Sequence, residues 1–328
     1  MKALTSSQLK ITALWAFSEA FLGGILHGLH LPFTGLVLSA FAVICMCTLA
    51  LKEYSRGKII HATLLVMIVK LTLSPHTPFT AYFAVLLQGG CAELLFAISI
   101  PYKVAAYVTA VFALMQSAFQ KLIVLTILFG MEGWKAMDEF LNDVLETFGI
   151  QNTPYTFYIV LFYLLLHFIM GLIAGTFAAR LKKLQPWDQP VDFKNKAAEV
   201  AAKEKKSAAG SFIYWILFIL LAIVICQVYA KEDFLSWISG KPLKLLFRAV
   251  LIMVFWYFFL SPLLMRVLKR WLLKRKGAFS SEVNDILMLL PEMKAMVLYA
   301  WMLSAEFSGV KRVMKFINCC FRLLLTTT

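Results

Sequence analysis

The sequence predicts an all-α integral membrane protein. It reads as a six-helix bundle, then two further transmembrane helices, then cytoplasmic amphipathic helices. Three observations carry this. Hydrophobic residues make up 61% of the 328, and charged residues only 15%. Mean hydropathy is +0.79, whereas a soluble domain is roughly half apolar. The apolar residues also gather into runs of about 18 to 25, the length that crosses a bilayer.

The net charge of +14 does not point to nucleic acid, because the basic residues flank the apolar runs as the positive-inside rule requires. The runs fall near 11–29, 33–51, 59–74, 79–100, 104–130 and 155–179, followed by 211–229 and 246–265. Lys2 and Lys10 precede the first run. Lys52, Arg56 and Lys58 separate the second from the third, Lys103 the fourth from the fifth, and Arg180, Lys182 and Lys183 follow the sixth. The alternate connections among the first six runs are poor in Lys and Arg, whereas the one between the seventh and eighth holds Lys231, Lys241 and Lys244. The sequence therefore predicts a multi-pass membrane protein with both termini cytoplasmic.

Four parts follow: a six-span core at 1–180, a basic linker at 181–210, a two-span hairpin at 211–276, and amphipathic helices at 277–328. Pro186 and Pro190 stop the sixth helix, and the segment after them is rich in Ala, Lys and Glu. Beyond Gly277 the spacing of Ile286, Leu290, Met293, Val297 and Ala300 predicts an amphipathic helix. No further 18-residue apolar run is expected there. No cleavable signal peptide is evident, and the six Cys read as small apolar side chains.

The first span carries small residues at every fourth position: Ala16, Ala20, Gly24 and Gly28. Residues four apart share a helix face, and such a stripe lets another helix approach closely. The same segment holds Glu19, His27 and His30. With Thr34, His76, Thr77 and Thr80, these histidines cluster at the outer ends of the first four spans. Lys70 lies in the outer part of the third span. Gln88 and Glu93 lie progressively deeper in the fourth, and Gln116 and Gln120 share a face of the fifth. Ionisable groups at bilayer depth are costly enough to suggest a function. The candidate substrate-binding set is therefore His27, His30, Thr34, Lys70, His76, Thr77, Tyr82, Gln88, Glu93, Gln116 and Gln120, with Tyr82 placed to stack on a ring. The bland alternative is interhelical glue, worth roughly 0.6 kcal/mol per polar pair.

Six spans with both ends inside, the Ala16–Ala20 row continued by Gly24 and Gly28, and the stretch from Ser74 to Phe83 resemble the substrate-binding S component of energy-coupling factor (ECF) transporters. The resemblance covers residues 11–180. It implies a subunit of a prokaryotic plasma (inner) membrane that captures a vitamin or vitamin precursor from outside. A separate T component would meet the small-residue row, and cytoplasmic ATPase subunits would drive the import. The chain lacks a P-loop of its own, which fits that division of labour. It also lacks the Gly-x-Ser-x-Gly and His-Glu-x-x-His patterns, so no enzyme activity and no cofactor are expected. The expected partners are the lipid bilayer, a small-molecule substrate, and the T and ATPase subunits.

The metal-specific members of that family carry an N-terminal His behind the initiator Met. This chain begins Met-Lys-Ala, so no metal ligands are assigned. A metal-ion transporter subunit stays open as an alternative, because imidazoles suit transition metals. A second alternative is a non-transport membrane anchor that presents the basic C-terminal helices.

Overall fold

The computed structural model describes residues 3–28, 33–51, 54–74, 77–98, 100–146, 154–183 and 249–326. The candidate span at 211–229, most of the 181–210 linker, and His30 and His76 lie outside these residues.

Every regular element among the described residues is helical. Helix α1 (Ser6–Phe17) passes through a π-helical turn at Ser18–Leu22 into the short α2 (Gly23–Gly28). Then follow α3 (Thr34–Leu51), α4 (Lys58–Leu73), α5 (Phe79–Ala97), α6 (Tyr102–Glu146) and α7 (Tyr155–Arg180). The C-terminal part contributes α8 (Ser261–Ala278), α9 (Ser280–Leu303) and α10 (Gly309–Thr326). Seven of the helical stretches are long and apolar enough to cross a membrane, consistent with a multi-pass membrane protein.

Local chemistry sets the helix ends. Thr5 and Gln8 form a reciprocal capping box at the start of α1. Gly57, at φ 89°, supplies the left-handed residue that turns the chain into α4. In α6, Gly130 (φ 69°) breaks the helical path. The chain beyond it folds back, so a Cβ at Gly133 would meet Phe129 Cβ at 2.5 Å. Asp138, in this returning segment, accepts the Thr156 amide at 2.7 Å and so caps α7. The 131–154 region, read as a connection from the sequence, is thus helical as far as Glu146.

Close packing is made through small residues. Gly171 and Gly175 of α7, spaced as Gly-xxx-Gly, face Val111 and Tyr107 of α6, with Gly171 Cβ space ending 3.0 Å from the Val111 Cα. Gly89 of α5 lies against Thr63 of α4, where a Cβ would stand 2.1 Å from the hydroxyl. Helix α4, only 16 residues long, is buried almost throughout and packs on α1, α3, α5, α8 and α9. It is not one of the seven candidate spans.

One expectation about the C-terminal part is corrected. Ser280–Leu303 is long and apolar enough to span a membrane, because its few charged residues are spread among long apolar stretches. Helix α9 packs along α1 and against α4, and Phe321 of α10 is fully buried beside Phe41 of α3 and Phe177 of α7. The periodic apolar face of α9 (Ile286, Met293, Met296, Ala300) enters the same core as α1 and α4.

Candidate functional site

A buried ion pair lies in the bundle. Lys70, in the last turn of α4, donates to Glu19 Oε2 at 2.7 Å, and the two side chains are only 6% and 5% exposed. The Lys70 ammonium also lies 6.0 Å from the centre of the buried Tyr82 ring. Glu19 owes its position to the π-helical turn at Ser18–Leu22, which inserts an extra residue into the first helix. Such bulges recur at functional sites. Charges this deep persist only when paired and hydrogen-bonded. The sequence shows both residues, but the pairing depends on the bulge and on α4 lying against α1, neither of which has a sequence signature.

The glutamines form a chain across α3, α5 and α6. Gln88 donates to Ser39 Oγ at 3.0 Å and to Gln116 Oε1 at 2.8 Å. Gln116 donates to Gln120 Oε1 at 2.9 Å, and Gln120 to the Thr80 carbonyl at 3.1 Å. The chain runs from mid-helix to the start of α5. Glutamine suits such a relay because its amide both donates and accepts.

Glu93 is engaged differently from the expectation that it faces a solute. Its Oε1 accepts from the Tyr54 hydroxyl at 2.9 Å and the Gly57 amide at 2.6 Å. Its Oε2 accepts from the Ile59 and Ile60 amides at 2.9 and 3.2 Å. With the Lys58 amide bonded to Ser55 O, the opening amides of α4 are all satisfied. An anionic group at a helix N-terminus also complements the dipole. Burial, and then the hydrogen bond to Glu93, push the Tyr54 phenol above its ordinary range, so it remains a donor. Glu93 is therefore a structural cap supplied by a neighbouring helix.

The same end of the bundle is closed from the C-terminal part. Glu282 accepts the Leu4 amide at 2.9 Å and His61 Nε2 at 2.8 Å, while Lys58 Nζ donates to the Ala3 carbonyl. From the sequence Glu282 reads only as part of a Ser280–Ser281–Glu282 helix cap, and nothing near His61 marks it, because the two partners lie 221 positions apart.

The remaining candidates separate. Thr34 donates to the Leu26 carbonyl at 3.3 Å, and the Thr77 amide bonds to Ser74 O at 3.1 Å in the turn before α5. His27 lies in α2, but its side chain is outside the described set, as are His30 and His76. No group of three or more His, Cys, Asp or Glu among the described residues is arranged to hold a metal. The small-residue row divides. Ala16 is wholly buried, Ala20 is half-buried, and Gly24 is open, with nothing within 4 Å of a Cβ built there. Gly28 ends α2. The covered part of the row belongs to α1, on which α9 packs.

Comparison with family models, with curated proteins and with solved structures finds no match for this chain.

Proposed function

We propose that the protein is a solute-capturing membrane subunit of an importer, working from a prokaryotic inner membrane with its N-terminus in the cytoplasm. The observation that carries this reading is the buried Lys70–Glu19 pair. It forms a polar centre inside an apolar bundle, at the end that leads to the connections holding His30 and His76. A charge at bilayer depth costs at least about 2.5–3.5 kcal/mol, so a pair kept there is better explained by use than by stability. The glutamine chain adds neutral donors and acceptors, which suits a polar micronutrient such as a vitamin or its precursor.

The importer is of the ATP-driven kind that the six-span arrangement resembles, with T and ATPase subunits supplied separately. The packing of α9 on α1 adds a feature to this proposal. Ala16 is buried within the bundle, so the partner-docking face is Ala20 and Gly24, flanked by the exposed Phe21 and Ile25.

The test is mass spectrometry of solutes that co-purify with the full chain from native membranes, paired with uptake in cells. Wild-type protein should retain a small polar solute. The paired replacement Lys70→Met with Glu19→Leu, which removes both charges together, should fold and lose the solute. Retention of the same solute by that folded variant would overturn the proposal.

One observation favours the anchor reading instead. Helix α8 presents Arg266, Arg270, Lys274 and Arg275, all exposed. Neutralising these four should leave solute retention intact on the importer reading. Loss of the cellular phenotype with retention unchanged would support the anchor.

A further inference from the structure

We propose that the cleft between the start of α6 and the end of α7 binds one anionic glycerophospholipid, with its phosphate headgroup at Lys103, Arg180 and Lys183. The cleft encloses about 460 Å³ and is lined by Lys103, Tyr107, Thr176, Ala179, Arg180 and Lys183. Its lining therefore holds three cations and two hydroxyls and no carboxylate. Among the described residues none of the three cations has an acidic partner within salt-bridge distance.

The helix dipole explains part of this cluster but not all of it. Arg180 lies in the last turn of α7 and Lys183 in the short turn that continues it, where a cation is favoured. Lys103 stands in the first turn of α6, where the dipole opposes a cation and attracts an anion. An anion between them satisfies Lys103, and the two basic residues of α7 hold it against the negative end of their own helix. Basic pockets between transmembrane helices bind lipid headgroups by this chemistry.

A second groove makes the occupant a lipid and not a free anion. It adjoins the first at Tyr107, encloses about 340 Å³, and is lined only by Tyr107, Val108, Val111 and Phe112. These residues recur at helical spacing on one face of α6. Val104 and Val108 are 49% and 43% exposed, so the face is open along its length. From Lys103 to Phe112 the helix rises about 14 Å. Charge at one end and apolar surface along the rest match a headgroup followed by the upper part of an acyl chain.

The wall shared by the two grooves is rigid. Thr176 gives its one proton to the Leu172 carbonyl at 2.7 Å, so at its 3.0 Å contact with Tyr107 it accepts from the Tyr107 hydroxyl. The Tyr107 ring is wedged over Gly175, where a Cβ would approach to 2.7 Å. The platform is thus formed before any ligand arrives.

The test uses the full chain in neutral detergent, titrated with dioleoyl phosphatidylglycerol or dioleoyl phosphatidylcholine and read by native mass spectrometry. We expect one phosphatidylglycerol to bind with at least a tenfold preference over phosphatidylcholine. The triple variant K103Q/R180Q/K183Q should lose that preference, and the charge-conserving K103R should keep it. V108N/F112N should weaken phosphatidylglycerol at least fivefold. All these side chains lie at the surface of the groove, and unchanged thermal unfolding of each variant verifies its fold. Millimolar inorganic phosphate should not displace the lipid. Equal binding of both lipids, or an unaltered preference in the folded triple variant, would overturn the proposal. So would full displacement by phosphate, which would mark a soluble-anion site.

Discussion

Glu282 accepts a hydrogen bond from His61 Nε2 at 2.8 Å, and its other oxygen takes the Leu4 amide at 2.9 Å. A residue 278 positions downstream thus holds the start of the first helix and the first turn of α4 together. Replacing Glu282 with Ala leaves a buried amide and an imidazole without their acceptor. We expect a loss of about 1–3 kcal/mol, read as a lower unfolding midpoint in detergent, with Glu282→Gln intermediate. Removal of residues 277–328 uncovers the side of α1 on which α9 packs, and should leave the remaining chain unstable in membranes. A truncated chain as resistant to heat as the full one would show that α9 merely rests on the bundle.

The Lys70–Glu19 pair supports a different expectation. Lys70→Met alone leaves a buried carboxylate unpaired and should cost about 3–5 kcal/mol. Adding Glu19→Leu should recover most of that loss, because two apolar side chains of similar volume replace the pair. A double-mutant cycle on thermal unfolding measures the coupling. Additive losses would mean that the charges do not interact.

Glu93 should behave as a cap and not as a binding residue. Hydrogen bonds to charged groups are worth about 1.5–3 kcal/mol each, and Glu93 accepts four. Glu93→Ala should therefore destabilise strongly and expose the Ile59 and Ile60 amides to hydrogen exchange. Any solute bound by the folded fraction should keep its affinity. A selective fall in solute affinity at unchanged exchange would reverse this assignment.

Tyr54 gives a pH signature. Its phenol ordinarily titrates near 10, and burial with the Glu93 hydrogen bond raises it in the folded chain. A raised folded value means the contribution is complete below about pH 10. It is lost as the pH climbs from there through the folded value. Stability measured between pH 9 and 12 should thus fall in wild type, and the fall should be shallower in Tyr54→Phe. Equal slopes would remove Tyr54 from the account.

The α6–α7 seam depends on absent side chains. Gly175→Leu would drive a branched side chain into the Tyr107 ring and backbone, with Cα only 3.1 Å from the ideal Cβ. Overpacking usually costs about 1–3 kcal/mol, and more here because backbone must move. Reduced cross-linking between cysteines placed at Val104 and Ala179 would report the opened seam.

The spans were largely legible before folding, because a run of apolar residues has only one cheap place to go. Runs near 11–29, 33–51, 79–100 and 155–179 correspond to α1–α2, α3, α5 and α7. The fifth run ends at Gly130, where the helix breaks. The reading failed at α9, whose charges at Glu282, Asp285, Glu292 and Lys294 masked a helix apolar enough to span. The sequence likewise carries no sign that Glu93 caps the start of α4. A cap provided by another helix leaves no local mark, since the amides it satisfies lie some 35 positions away in sequence.

Composition and the spacing of apolar and basic residues were enough to establish a helical membrane-type chain and the approximate place of most of its helices, because hydrophobic burial is additive along the chain. Which polar groups meet was settled only by the packed bundle. Lys70 with Glu19, Glu282 with His61 and Leu4, and Glu93 with the start of α4 are each joined across long sequence distance. Hydrogen bonds and ion pairs act over about 3 Å, so they exist only after the helices have chosen their neighbours.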